Sequence, residues 1–332
     1  MLPKYIPSIG ATALFLLASF ATATPQLVLD SDFADPCLVQ LSNGTWYAFA
    51  TTTGSINIQM AYSDDFENWH LASNYDALPG PFPSWVYSSP QTWAPDVIQR
   101  ADGTFLMYFS AASNDSAASG DIKHCVGAAT SPNVTGPYTP MESPIACPLD
   151  AGGAIDAAGF IDDNDNQTMY VVYKVDGSNL DSGDHVYPTP IMLQEVESDG
   201  ITPVGSAVQI LDRDPNGGDG PLIEAPSLIK SDGIYYLTFS SAMFNTPQYD
   251  SSYAYATDII GPWTKQHSPY APLLVSGDAS SAGALTGPGG SSIAKGGTKI
   301  AFHASRNGEN ADAGRAMYVA NITLANDVIT IL

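Results

Sequence analysis

Ile223-Glu224-Ala225-Pro226-Ser227-Leu228-Ile229, followed by Asp232-Gly233 and Tyr235-Tyr236, is the stretch on which the reading of this chain turns. A small and acidic entry, an apolar run, a Gly turn and a second run rich in aromatics describe two antiparallel strands joined by a tight hairpin. The same grammar occurs five times. It reads Asp35-Pro36-Cys37-Leu38-Val39 with Asn43-Gly44 and Trp46-Tyr47, and Ala94-Pro95-Asp96-Val97-Ile98 with Asp102-Gly103 and Phe105. It returns as Ile155-Asp156-Ala157-Ala158-Gly159-Phe160-Ile161 with Met169-Tyr170, and as Gly289-Gly290-Ser291-Ser292-Ile293 with Gly296-Gly297 and Phe302. The copies lie roughly 60 to 70 residues apart, enough for about four strands and their loops, which is one propeller blade. Five blades closed in a ring leave no free sheet edge and turn their innermost strands toward a common axis. The sequence therefore predicts an all-β chain, a single five-bladed β-propeller over residues 24–332. A two-domain array of β-sandwiches competes, but gives no reason for the entry motif to recur.

Composition agrees. Of 332 residues, 44% are hydrophobic, enough for a sizeable core, and the 17 Tyr, 29 Gly and 25 Pro favour short strands and turns over long helices. Lys plus Arg number 11 against 34 Asp plus Glu, a formal charge of −23. That excess of acid excludes nucleic acid and anionic lipid as partners, because both need clustered cations. A neutral polymer or small ligand fits better.

The first 23 residues read as a secretory signal peptide: Lys4, an apolar run over 11–20, then the small-residue cleavage site Ala21-Thr22-Ala23. The run is too short to span a bilayer. Five N-x-S/T sequons, at Asn43, Asn114, Asn133, Asn166 and Asn321, then suggest a secreted, extracellular glycoprotein. Cys125 and Cys147 bracket a short loop and are the expected disulfide, with Cys37 as a buried thiol.

Most acids sit in polar turns. Asp35, Asp156 and Glu224 differ, each flanked by Ala, Pro, Gly or Ile at the entry of a repeat. Taken singly, each could be a strand-end acid capping a turn. Together, in a shared register, they would converge at the hub of the ring. Converging, desolvated carboxylates separate into an ionised base and a protonated acid, the apparatus of glycoside hydrolysis.

At this point the sequence resembles glycoside hydrolase family 43. Asp35-Pro36 after Ser31-Asp32-Phe33-Ala34, Trp93-Ala94-Pro95-Asp96-Val97, Gly153-Ala154-Ile155-Asp156 and Ile223-Glu224-Ala225-Pro226 occur in that family's order across nearly the whole mature chain. The resemblance implies a five-bladed propeller and inverting hydrolysis of arabinofuranosides or xylosides. It implies Asp35 as general base, Glu224 as general acid, and Asp156 as the pKa modulator that orients the acid. Phe33 and Trp93, beside the motif acids, are candidate walls for the sugar face, though ordinary core positions would suit both. Asp96 reads as a supporting acid and Tyr235-Tyr236 as packing between blades. Arg315 is a candidate partner for a pocket carboxylate or a sugar hydroxyl, or a link between blades. The family also places a calcium ion on the axis, approached by a His of the fifth repeat. The matching stretch here, Gly287-Pro288-Gly289-Gly290-Ser291-Ser292, has no His, and His303 falls on the next strand as a structural residue. No cofactor is required by this reading, while a structural calcium on the axis could still sit on carbonyls and waters.

The expected activity is that of an α-L-arabinofuranosidase or exo-arabinanase on arabinan or arabinoxylan of plant walls, with β-xylosidase as the runner-up within the class and endo-arabinanase behind it, since cleft depth, set by loops, decides exo against endo. A carbohydrate-binding propeller without catalysis is the alternative outside it, against which the three retained acids speak. Loops 73–91, 112–120 and 179–190 would shape the rim. A closed ring is expected to be a monomer.

Overall fold

The computed structural model describes residues 24–163, 166–183, 185–214, 216, 218–266, 273–308 and 311–332. The expected signal peptide, 1–23, lies outside the described residues. Strand β1 (Gln26–Leu29) comes first in the chain. Blade one follows as β2 (Cys37–Gln40), β3 (Trp46–Ala50), β4 (Gln59–Ser63) and β5 (His70–Leu71). Blade two is β6 (Trp93–Gln99), β7 (Phe105–Ala112), β8 (His124–Ser131) and β9 (Thr139–Pro140). Blade three is β10 (Ala154–Ile161), β11 (Met169–Val175), β12 (Ile191–Val196) and β13 (Val208–Leu211). Blade four is β14 (Ile223–Ser231), β15 (Ile234–Ser241), β16 (Asp250–Ala256) and β17 (Thr264–Gln266). A small hairpin, β18 (Ala279–Ser280) and β19 (Gly283–Ala284), precedes blade five. That blade holds β20 (Gly289–Ile293), β21 (Lys299–Ser305) and β22 (Arg315–Ala325), with β23 (Val328–Ile331) paired to the far half of β22.

The first four blades are simple antiparallel meanders in chain order. The fifth borrows its outer strand: β1 pairs with β22, Leu27 opposite Tyr318 and Leu29 opposite Met317, so the ring is closed by hydrogen bonds between the two ends of the chain. The hairpin signals sit where they were read. Asp232 and Gly233 both take positive φ, 50° and 79°, as a two-residue turn matched to strand twist demands.

Alternation along the strands explains the packing. In β7, Phe105, Met107, Phe109 and Ala111 face blade one, while Leu106 and Tyr108 face blade three. Each blade is thus apolar on both faces, and five separate buried clusters fill the five seams between neighbouring blades. Tyr235 packs in the seam of blades three and four, and Tyr236 in that of four and five. Cys125 and Cys147 are bonded, tying β8 to the loop beyond β9, and Cys37 is a buried thiol. All five sequon asparagines are exposed.

Candidate active site

The inner strands share a device that aims residues at the axis. In β6, β10, β14 and β20 the pairing slips between Trp93 and Asp96, Ile155 and Ala158, Glu224 and Ser227, and Gly289 and Ser292. Within each slip one residue is left-handed: Ala94 (φ 41°), Asp156 (φ 59°), Ala225 (φ 53°) and Gly290 (φ 60°). Asp35 (φ 53°), ahead of β2, is their counterpart in blade one. Four of the five are not Gly, at a backbone cost of about 1–3 kcal/mol each. All five line one axial cavity of about 40 Å³.

Hydrogen bonds between blades hold these strained residues. The Asp35 amide donates to His303 Nδ1 (3.1 Å), Ala94 to Thr51 Oγ1 (3.0 Å), Asp156 to Ser110 Oγ (3.0 Å) and Gly290 to Ser240 Oγ (2.9 Å). Each acceptor stands at the same place on the second strand of the preceding blade, with Ser110 opposite Trp93, Ser240 opposite Glu224 and His303 opposite Gly289. In blade three that place, opposite Ile155, belongs to Lys174, which has no lone pair to offer. The Ala225 amide turns instead to Asp156 Oδ2, at 2.9 Å.

The shared register expected for the three acids needs one correction. Asp35 and Asp156 are the left-handed residues of their blades, but Glu224 comes one residue earlier, the position of Trp93, Ile155 and Gly289. The bulge lets both places serve one centre, because the extra residue reverses the usual alternation of faces.

Asp35 accepts from Thr51 Oγ1 (2.6 Å) through Oδ2 and from Arg315 Nη1 (3.0 Å) through Oδ1. Burial pushes its carboxyl up, but the Arg315 charge and these hydrogen bonds outweigh it, holding the group below the ordinary aspartate value. His303 Nδ1 lies 3.3 Å from Oδ1, yet burial drives its pKa down to about 3, so the ring is neutral and the contact is not an ion pair. Because Nδ1 accepts the Asp35 amide, the proton is assigned to Nε2.

Glu224 is held from two sides. Tyr249 Oη donates to Oε1 at 2.9 Å, and Lys174 Nζ lies 2.9 Å from Oε2. Burial and the neighbouring carboxylates push the Tyr249 hydroxyl far up, so it remains a donor. The Tyr249 and His303 rings stack, 5.8 Å apart and nearly parallel, which ties the Glu224 anchor to the Asp35 anchor. These two rings also explain why the fifth repeat is Gly-Gly. A Cβ on Gly289 would lie 2.1 Å from the Tyr249 ring, and one on Gly290 would lie 2.6 Å from His303.

Asp156 is fully desolvated. Burial, then the Glu224 carboxylate, push it well above the aspartate range, and Lys174 opposes them only in part. Asp96 accepts from the Gly159 amide at 2.9 Å, and burial raises it to about 6; it braces the next inner strand.

The aromatic candidates separate. Phe33 is 0% exposed in the seam of blades five and one, so it offers no face to a sugar and that expectation is corrected. It precedes the turn at Asp35 and points into the core. Trp93 is half-buried, one face stacked at 3.6 Å on His124, whose pKa burial lowers to about 4. Arg315 pairs with Asp35 and also lies 4.9 Å over the ring of Phe244, which is 44% exposed. Phe244, Tyr249, Thr51 and Lys174 are site residues that sequence reading passed over. Only Lys174 carried a signal, a single charge inside Met169-Tyr170-Val171-Val172-Tyr173-Lys174-Val175.

Calcium takes six or more oxygen ligands. Among the described residues no group of three or more His, Cys, Asp or Glu side chains is placed to hold an ion, so an axial calcium would have to rest on carbonyl oxygens and water.

Asp35, Asp156 and Glu224 are thus gathered at the hub of a ring of sheets, near enough to feel one another's charge. The sequence pattern of Glycosyl hydrolases family 43 matches residues 25–329, and the chain belongs to that family. It is 26% identical over 291 residues to extracellular endo-alpha-(1->5)-L-arabinanase 1 of Bacillus subtilis, covering 82% of this chain and 81% of that protein. It is 29% identical over 134 residues to arabinanase 2 of the same organism, covering 37% of this chain and 26% of that relative's length. A thermostable family-43 glycoside hydrolase superposes with a TM-score of 0.76 at 23% identity, over 93% of this chain and 96% of that one.

Proposed function

We propose that the chain is a secreted, inverting glycosidase that releases arabinose from arabinan or arabinoxylan, as an α-L-arabinofuranosidase or exo-arabinanase. The observation that carries this reading is an Asp35 carboxylate kept ionised by Arg315 and Thr51, on an axis shared with a Glu224 carboxyl anchored by Tyr249. Asp35 takes a proton from water as its oxygen bonds to the anomeric carbon. Glu224 gives a proton to the glycosidic oxygen as that bond breaks, and the sugar inverts. Asp156 holds the backbone beside the acid through the Ala225 amide. No step needs a metal or cofactor. Trp93 and Phe244 supply aromatic faces at large contact area and small entropy cost. The arabinanase relatives favour arabinose over xylose. The apolar leader and the five exposed sequons favour a glycosylated extracellular monomer.

The test is hydrolysis of p-nitrophenyl α-L-arabinofuranoside, p-nitrophenyl β-D-xyloside, linear arabinan and arabinoxylan, with proton NMR of the first-formed sugar. Release of arabinose with inverted configuration is expected. A retained anomer would refute the mechanism. Binding without cleavage of any of these would make the chain a carbohydrate-binding propeller, and cleavage of the xyloside alone a β-xylosidase.

A further inference from the structure

We propose that Lys174 is the positioning residue of the general acid: its ammonium fixes the Glu224 carboxyl in the orientation from which it reaches the leaving oxygen. The inference rests on the assignment of Glu224 as acid. The Lys174 side chain is only 1% exposed and reaches Glu224 Oε2 at 2.9 Å and Asp176 Oδ1 at 2.8 Å. A buried ammonium is tolerated only where carboxylates surround it. Burial works against the Lys174 charge, but Glu224, Asp176 and Asp156 outweigh it and push the group up, so it stays cationic.

Its place in the fold is what marks it. At this position the other four blades carry Thr51, Ser110, Ser240 and His303, each with an acceptor atom directed at the next blade. Those residues complete the ring of amide hydrogen bonds. Lys174 cannot, and Asp156 supplies the missing acceptor. One substitution in the repeat thus does two things. It brings a cation to the acid and leaves the backbone of Ala225, next to the acid, dependent on a carboxylate.

The ionisable groups facing Lys174 are Glu224 from β14, Asp156 from β10 and Asp176 just after β11. Glu224 also faces Tyr249, which stays a neutral donor. Asp176 is pinned by Ser178 Oγ (2.5 Å) and Asn179 Nδ2 (2.8 Å), so Lys174 has a fixed anchor on the side away from the acid.

The experiment compares kcat/KM on linear arabino-oligosaccharides, whose leaving groups need protonation, with kcat/KM on p-nitrophenyl α-L-arabinofuranoside, whose leaving group does not, for wild type, Lys174→Met, Lys174→Met with Asp176→Asn, and Glu224→Gln. In both Lys174 variants the oligosaccharide rate should fall by about tenfold or more while the aryl rate falls far less, the split expected of a misplaced acid. The double variant removes the charge that Lys174→Met leaves stranded, and it carries the test if the single variant does not fold. Equal losses on the two substrates, or no loss, in a folded variant overturn the proposal and leave Lys174 a structural residue. Full activity of Glu224→Gln on the oligosaccharides overturns instead the assignment on which the proposal stands.

Discussion

Replacing Arg315 with Met should move the acid limb of the pH profile and leave the basic limb in place. Arg315 and Asp35 have side chains only 16% and 17% exposed, 3.0 Å apart, so solvent screens the pair weakly. In the native site burial pushes Asp35 up and Arg315 leads the groups that bring it below the ordinary value of 3.8. A close opposite charge is worth about 1–3 units to a carboxyl, or about 1.4 kcal/mol for each unit. Its removal leaves burial unopposed except by Thr51, and the limb should rise by that amount. Below the new limb kcat/KM falls about tenfold per unit, so the loss relative to wild type grows as the pH is lowered through the shifted limb. Stability follows the same sign. A depressed carboxyl stabilises the fold above its unfolded pKa and loses that contribution as pH falls through the folded pKa, so Arg315→Met should be less stable near neutrality. The assay is kcat/KM on p-nitrophenyl α-L-arabinofuranoside from pH 3 to 9, with thermal melts at pH 7. An acid limb that stays where it is in the folded variant would show that Asp35 is not the base, or that Arg315 does not hold it.

Three further outcomes are expected. Phe109→Ala opens the seam between blades one and two and should cost about 3–5 kcal/mol, read as a lower urea midpoint with unchanged m. Gly290→Ala must place a Cβ 2.6 Å from His303 and 3.0 Å from the Asp35 carboxylate at a φ of 60°, so kcat should fall at least tenfold while circular dichroism stays native. Phe244→Ala removes an exposed face that rests on Arg315, and should raise KM by roughly 2- to 10-fold with kcat nearly unchanged, since stacking of this kind is worth about 0.5–1.5 kcal/mol.

What was legible in the sequence was what is local. Asp232-Gly233 encodes its own turn, and five copies of one strand-entry grammar encode a ring. Asp35, Asp156 and Glu224 stood out because each interrupts a small, apolar run. What depended on contacts between blades was not legible. Phe33 is two residues from Asp35, yet the left-handed turn at Asp35 separates them, one to the axis and one to the core. Tyr249 precedes its strand without any pattern, and only the space left by Gly289 shows why it reaches Glu224. The one-residue offset of Glu224 is invisible without φ angles, because a bulge changes facing without changing composition. The repeat also gave no sign that the fifth blade takes its outer strand from the opposite end of the chain.

That clasp has a bearing on biogenesis. Leu27 and Tyr318 are about 290 residues apart along the chain, and closing so long a loop is entropically slow. A ribosome delivers β1 well before β22, its ladder partner among the described strands. Throughout synthesis this short apolar strand waits with its amides unsatisfied, a natural client for a chaperone, and the cavity at the hub takes its final shape only when the clasp shuts.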